Sequence, residues 1–110
     1  MSEPYTNTVF QAIADPTRRR ILDLLKKHEH PVNSLHEHFD MTQPALSQHL
    51  RVLREVGVVS RRRQGRQQIY CLNAVMLKEV YDWVGHYEQF WRGKLNALGE
   101  YLDATQDEAS

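Results

Sequence analysis

The sequence predicts a mainly α fold carrying one small β-hairpin. Three observations point there. Leu46, Leu50 and Leu53 repeat at helical spacing within residues 41–57. After Gly57 the texture changes to two short, arginine-rich segments around Gln64-Gly65. The last third then carries a long stripe of large apolar residues, again at helical spacing.

Residues 5–14 read as a short first helix with Val9, Phe10 and Ile13 inward. Asp15 is a good N-cap and Pro16 a good first helical residue, so a second helix is expected over 16–27. Its buried side is Ile21, Leu22, Leu24 and Leu25. Arg18, Arg19 and Arg20 form a basic run in its first turns. A solvated face is the commoner fate of such a run; phosphate contact or an ion pair across a dimer is the alternative. Residues 28–31 read as a loop. A third, short helix over 32–39 turns Leu35 and Phe39 inward, and Asp40-Met41 makes a tight turn.

The next helix has two faces. Thr42 can cap it, and Pro44 is tolerated in the first turn because its missing N–H has no intrahelical partner there. Leu46, Leu50 and Leu53 form the apolar stripe, widened by Val52 and Val56. Gln43, Ser47, Arg51 and Arg54 carry amide, hydroxyl and guanidinium groups on another face. Gly57 accepts the left-handed conformation that ends a helix. A short helix, a turn and a helix with a polar reading face make a helix-turn-helix over 32–57, and such groups read base edges in a major groove.

Residues 58–72 read as a hairpin. With Gln64-Gly65 as a two-residue turn, Val59 lies opposite Tyr70, and Leu72 shares the Tyr70 face that covers the helical core. Arg61, Arg62, Arg63 and Arg66 crowd the far end. Four guanidinium groups there repel one another unless a polyanion neutralises them. A hairpin directly after a helix-turn-helix is a wing, and a basic wing suits backbone or minor-groove contact. The fold class is therefore a winged helix-turn-helix.

Asn73 can cap a last helix over 74–104. Leu77, Tyr81, Val84, Trp91, Leu95, Leu98 and Leu102 form its stripe, broadened by Val80, Trp83, Tyr87 and Phe90. A helix of that length spans about 45 Å, more than one small domain can cover, so a second copy is the simplest cover. The alternative is a break at Gly85 or Gly93. Residues 106–110 read as a frayed tail.

The 110 residues suffice for one domain. Within it, residues 5–14 and 74–104 are expected to serve dimerisation. Net charge is zero, but its distribution is uneven. Residues 1–40 hold 5 basic and 6 acidic residues (−1), residues 41–72 hold 6 arginines and one acid (+5), and residues 73–110 hold 3 basic and 7 acidic residues (−4). The local field of the basic middle favours a polyanion. No apolar run reaches a membrane span, and the start MSEPYTNT lacks a signal-peptide pattern, so the expected location is cytoplasmic. The single Cys71 excludes an internal disulfide and a multi-cysteine metal site. In a predicted strand its commoner role is a small buried hydrophobe; redox sensing would lack a visible resolving partner. The five glycines are scattered and form no phosphate loop, and no nucleophile–base pair is evident, so no enzyme is expected.

The order of elements resembles the ArsR family of winged-helix transcriptional repressors. The matching segments are ADPTRRRILDLL at 14–25, TQPALSQHLRVLREVGVVSRRRQGRQQIYCLN at 42–73 and WVGHYEQFW at 83–91. The resemblance implies a homodimer built from the first and last helices that binds an inverted-repeat operator and blocks transcription. By position it carries the recognition-helix contacts onto Gln43, Ala45, Ser47, Gln48 and Arg51, beside the Thr42 cap and the wing arginines. It places the dimer interface on Val9, Phe10, Leu77, Val84, Trp91, Leu95, Leu98 and Leu102. The chain departs from the family's metal sensors and is similar to the small autorepressors. The soft-metal cysteine pair falls on Pro31 and Asn33, and the zinc sensors' Asp-x-His falls on Asp82-Trp83-Val84. No cofactor or metal is expected, and no inducer is indicated.

Two other readings stay open. His28, His30, His36 and His38 lie close in sequence and could form a non-standard metal site, although His36 and His38 would point about 200° apart on a helix. A winged helix that binds only protein is the other, and the wing arginines argue against it.

Overall fold

A computed structural model describes residues 8–109, with side chains described through residue 102. It contains α1 (Val9–Ile13), α2 (Pro16–Lys27), β1 (His30–Pro31), α3 (Val32–His36), α4 (Gln43–Glu55), β2 (Val59–Gln64), β3 (Gln67–Leu72), a 3₁₀ turn (Ala74–Leu77), α5 (Lys78–Gly85) and α6 (Glu88–Ala109). The chain divides into two compact units, Met1–Glu79 and Val80–Ser110.

In the first unit, local signals set the helix ends. Thr8 and Gln11 form a capping box at α1. The expected start of that helix at residues 5–7 lies outside the described residues. The Asp15 carboxylate accepts from the Arg18 amide at 3.0 Å, and Pro16 starts α2. Thr42 Oγ1 accepts from the Ala45 amide at 3.3 Å to cap α4. A Schellman motif closes α4: Gly57 sits at φ 82°, its N–H bonds the Arg54 carbonyl, and the Val58 N–H bonds the Leu53 carbonyl.

The core gathers one face from each element. Ile21, Leu22 and Leu25 of α2, Leu35 of α3, Leu46, Leu50 and Leu53 of α4, and Val59 and Tyr70 of the sheet are buried together. Truncating a fully buried leucine such as Leu46 to alanine removes transfer energy and leaves a cavity, a cost of about 2–5 kcal/mol.

The sheet corrects the sequence reading in two ways. It has three antiparallel strands in the order β1-β3-β2, because His30 and Pro31 pair with Tyr70 and Ile69 instead of forming a loop. The hairpin register also shifts by two: Val59 pairs with Leu72, Arg61 with Tyr70 and Gln64 with Gln67. The central turn residues are therefore Gly65 and Arg66. Gly65 has φ 64° and no non-glycine residue has positive φ among those described, which fits a type II′ turn with glycine first. A shift of two preserves the faces, so Val59, Tyr70 and Leu72 still cover the core.

Helix α3 ends at His36, not residue 39. The following turns are held by backbone bonds from His38 to Leu35 and from Phe39 to His36. Asn73 does not cap a helix with its side chain. Its Nδ2 donates to the Gly57 carbonyl at 3.0 Å, pinning the end of α4 to the chain leaving the wing.

Toward the C-terminus, the expected continuous helix over 74–104 is interrupted. A 3₁₀ turn precedes α5, and α5 stops at Gly85. The His86 and Tyr87 amides make short-range bonds to Trp83 and Val84 before α6 begins. Helix α6 then continues to Ala109, where a frayed tail was expected; Ser110 lies outside the described residues. Trp83 meets Tyr87 edge to face and Tyr87 meets Phe90 at a tilt, with ring centroids 5.5 and 6.3 Å apart. Trp91, Leu95, Leu98 and Leu102 are exposed. No helix among the described residues is long and apolar enough to cross a membrane.

Candidate nucleic-acid interface

Helix α4 buries Leu46, Leu50 and Leu53 and exposes Gln43, Ala45, Ser47, Gln48 and Arg51. Thr42 is exposed at its N-terminus, its hydroxyl oxygen used by the cap. Arg54 keeps its place on this face, about 20° from Ser47 at 100° per residue, but it is half-buried, with its Nε buried. Arg51 stays outside, with its Nε donating to Glu55 Oε1 at 3.0 Å. Glu55 adds an acid beside this face through the i,i+4 pair.

The wing lies in the same unit and touches α4 through β2. Arg61, Arg63 and Arg66 are exposed, and Arg63 Nε donates to the Gly65 carbonyl at 3.2 Å. Arg62 differs. Its guanidinium binds both Glu29 oxygens, at 2.7 and 2.5 Å, and also contacts Cys71 Sγ and Gln64. This bonding, with a further bond from Cys71, holds the Glu29 carboxyl down at about 2. Burial and the Glu29 bond push the Cys71 thiol up, which keeps it protonated.

The basic run of α2 keeps Arg19 and Arg20 exposed, as a solvated face would, and half-buries Arg18. Arg18 donates to the carbonyls of Ala12 and Gln11 at 2.6 and 3.1 Å, and Arg19 donates to that of Ile13 at 2.8 Å. The two arginines satisfy the orphan carbonyls at the end of α1. Arg20 lies 5.1 Å over the Phe39 ring. These partners are tertiary, so no local signal announced them.

The histidines have structural work. His36 Nε2 donates to the Met41 carbonyl at 2.7 Å and braces the turn of the helix-turn-helix. His30 is buried, its Nδ1 paired with Ser34 Oγ at 2.9 Å, and it also bonds the Leu24 backbone. His28 and His38 flank it with ring centroids 4.2 and 6.1 Å away. Burial, then the neighbouring His28 and His38, lower the His30 pKa. No group of three metal-ligating side chains converges among the described residues.

Of the residues expected at a dimer interface, Val9 is buried, Phe10 is half-buried and Leu77 packs on the core of the first unit. Val84, Trp91, Leu95, Leu98 and Leu102 are 38–53% exposed.

Comparison with known proteins agrees with this architecture. The family model for bacterial regulatory proteins of the arsR family matches residues 15–61. The chain is 42% identical to the transcriptional repressor SdpR of Bacillus subtilis, over 71% of this chain and 87% of that protein. It is 38% identical to an arsenical resistance operon repressor of Staphylococcus xylosus, over 73% of this chain and 77% of the other. Among solved structures, an ArsR-family transcriptional regulator superposes with TM-score 0.68 at 31% identity, covering 76% of this chain and 86% of the other. A possible regulator of arsenical resistance superposes with TM-score 0.63 at 39% identity, covering 82% and 91%. With helix-turn-helix, wing and long last helix in one order, and with relatives matched over most of their length, this chain belongs to the ArsR family of winged-helix transcriptional regulators.

Proposed function

We propose that the chain is a homodimeric cytoplasmic repressor, not an enzyme, that reads an inverted-repeat operator with α4 and grips its backbone with the wing. The observation that carries this is the pairing, in one compact unit, of an exposed amide and hydroxyl face on α4 with exposed Arg61, Arg63 and Arg66 on the wing. Gln43, Ala45, Ser47 and Gln48 sit on the outer side of the first turns, where a recognition helix meets base edges. Thr42 lies at the helix N-terminus, suited to a phosphate. Arg51 lies two turns in, within reach of a base or a phosphate. The exposed stripe of Val84, Trp91, Leu95, Leu98 and Leu102 supports association with a second copy, which would present two reading helices to two half-sites.

The test uses an operator selected from random duplexes and a scrambled control. Gln43→Ala and Gln48→Ala should each cost about 1–3 kcal/mol on the operator and little on scrambled DNA. Ser47→Ala should follow them more weakly, because a hydroxyl makes no bidentate contact. Equal losses on both duplexes would show that α4 is not the reading helix.

A further inference from the structure

Arg62 is the wing arginine already occupied by an anion. The bond pattern to Glu29 is bidentate, one Nη on each carboxylate oxygen. A guanidinium uses the same fork to grip a phosphate. Glu29 precedes β1, and Arg62 belongs to β2, the opposite edge of the sheet. The pair therefore spans the central strand, passing over Cys71. Arg62 is opposite Ile69 in the ladder, whereas Arg61 is opposite Tyr70, so the two arginines leave opposite faces of the sheet. Arg61, Arg63 and Arg66 are exposed around the hairpin tip, while Arg62 is drawn back over the body of the sheet.

The strap is built to hold charge and not to resist opening. Both side chains are about half exposed, at 47% and 49%. Exposed pairs of this kind contribute little to stability. With its carboxyl held at about 2, Glu29 stays anionic at any pH near neutral.

We propose that Glu29 is a specificity-determining residue for DNA: by filling the Arg62 fork it withholds one wing cation from the DNA backbone and weakens binding to non-operator DNA more than binding to the operator. The proposal rests on the DNA-binding reading above. Non-specific complexes are held almost wholly by phosphate contacts, so each added cation strengthens them. In an operator complex the base contacts fix the docking, and an added backbone contact there is limited by geometry.

The experiment compares wild type, Glu29→Gln and the double variant Glu29→Gln/Arg62→Gln on operator and scrambled duplexes. Glu29→Gln replaces one carboxylate oxygen by an amide nitrogen on an exposed loop residue, and a thermal melt confirms the fold. Expected is tighter binding to scrambled DNA, a salt slope steeper by about 0.9, and an advantage over wild type that shrinks about threefold between about 50 and 200 mM salt. The operator-to-scrambled ratio falls, and the double variant returns to the wild-type slope. An unchanged slope in Glu29→Gln overturns the proposal. So does a gain that persists in the double variant, since it would reflect only the loss of a negative charge. If wild type binds neither duplex, the DNA-binding reading itself fails; if wild type binds and Glu29→Gln matches it, this proposal alone fails.

Discussion

The Arg18 guanidinium reaches Nδ1 of His49 at 3.2 Å while its Nε donates to the Ala12 carbonyl at 2.6 Å. A guanidinium only donates, so Nδ1 of His49 is the acceptor and, by inference, the imidazole proton sits on Nε2. One side chain on α2 thus joins the end of α1 to α4. Asp15 stands behind it. Burial pushes that carboxyl up, but the Arg18 amide and the Arg18 charge help bring it below its ordinary value. Arg18→Ala should cost about 1–3 kcal/mol, because it removes charge-assisted bonds and leaves carbonyls at the end of α1 unsatisfied. Arg18→Lys should recover only part, since an ammonium cannot reproduce the planar fork. Urea unfolding of the two variants measures this. Equal stability of Arg18→Ala and wild type would remove the joint from the account.

The wing predicts a salt signature. Arg66→Ala should weaken operator and scrambled complexes by similar factors and reduce the salt slope by about 0.9, one lost phosphate contact. A loss confined to the operator would instead make Arg66 a base reader.

Association is predicted to run through the second unit. Leu95→Asp places a charge in the exposed stripe and should yield a monomer at micromolar concentration, where wild type sediments as a dimer. Sedimentation of wild type as a monomer would refute the dimer.

Stability should depend on His30. Its folded pKa lies below the ordinary 6.5 because burial, then His28 and His38, oppose the charged form. The unfolded chain therefore takes up a proton that the fold refuses. That contribution is fully present above about pH 6.5 and is lost as pH falls toward the folded pKa. Melting temperature should drop below about pH 6.5, with the His30 ring resonance titrating under 6.5 by NMR. A midpoint at or above 6.5 would contradict it.

Zinc, cadmium and arsenite should not release the DNA. The soft-metal positions hold Pro31 and Asn33, His36 Nε2 is committed to Met41, and His30 is bonded to Ser34 and to the Leu24 backbone. Metal titration of the protein–DNA complex checks this. Stoichiometric, chelator-reversible release would point to His28 and His38.

Helix α4 was legible because its signals are local: the Thr42 cap, the three leucines and the Gly57 terminator all act within a few residues. The hairpin was legible in its faces but not its register, since both Gln64-Gly65 and Gly65-Arg66 satisfy a glycine-bearing turn. Strand β1 was not legible. Two residues, one a proline, carry no alternation, and their pairing partners Tyr70 and Ile69 are far along the chain. Arg18 and Arg62 read simply as positive charge, because what they bind is brought to them by the fold.

The aromatic row of the second unit decides how this protein can be watched. Both tryptophans, Trp83 and Trp91, fall in Val80–Ser110, and the winged body has none. Intrinsic tryptophan emission therefore reports on the environment of α5 and α6. Melting of the winged body would pass unseen in that signal unless it travelled to those helices. A tryptophan installed at Phe39, half-buried under Arg20, would give the winged body its own optical probe.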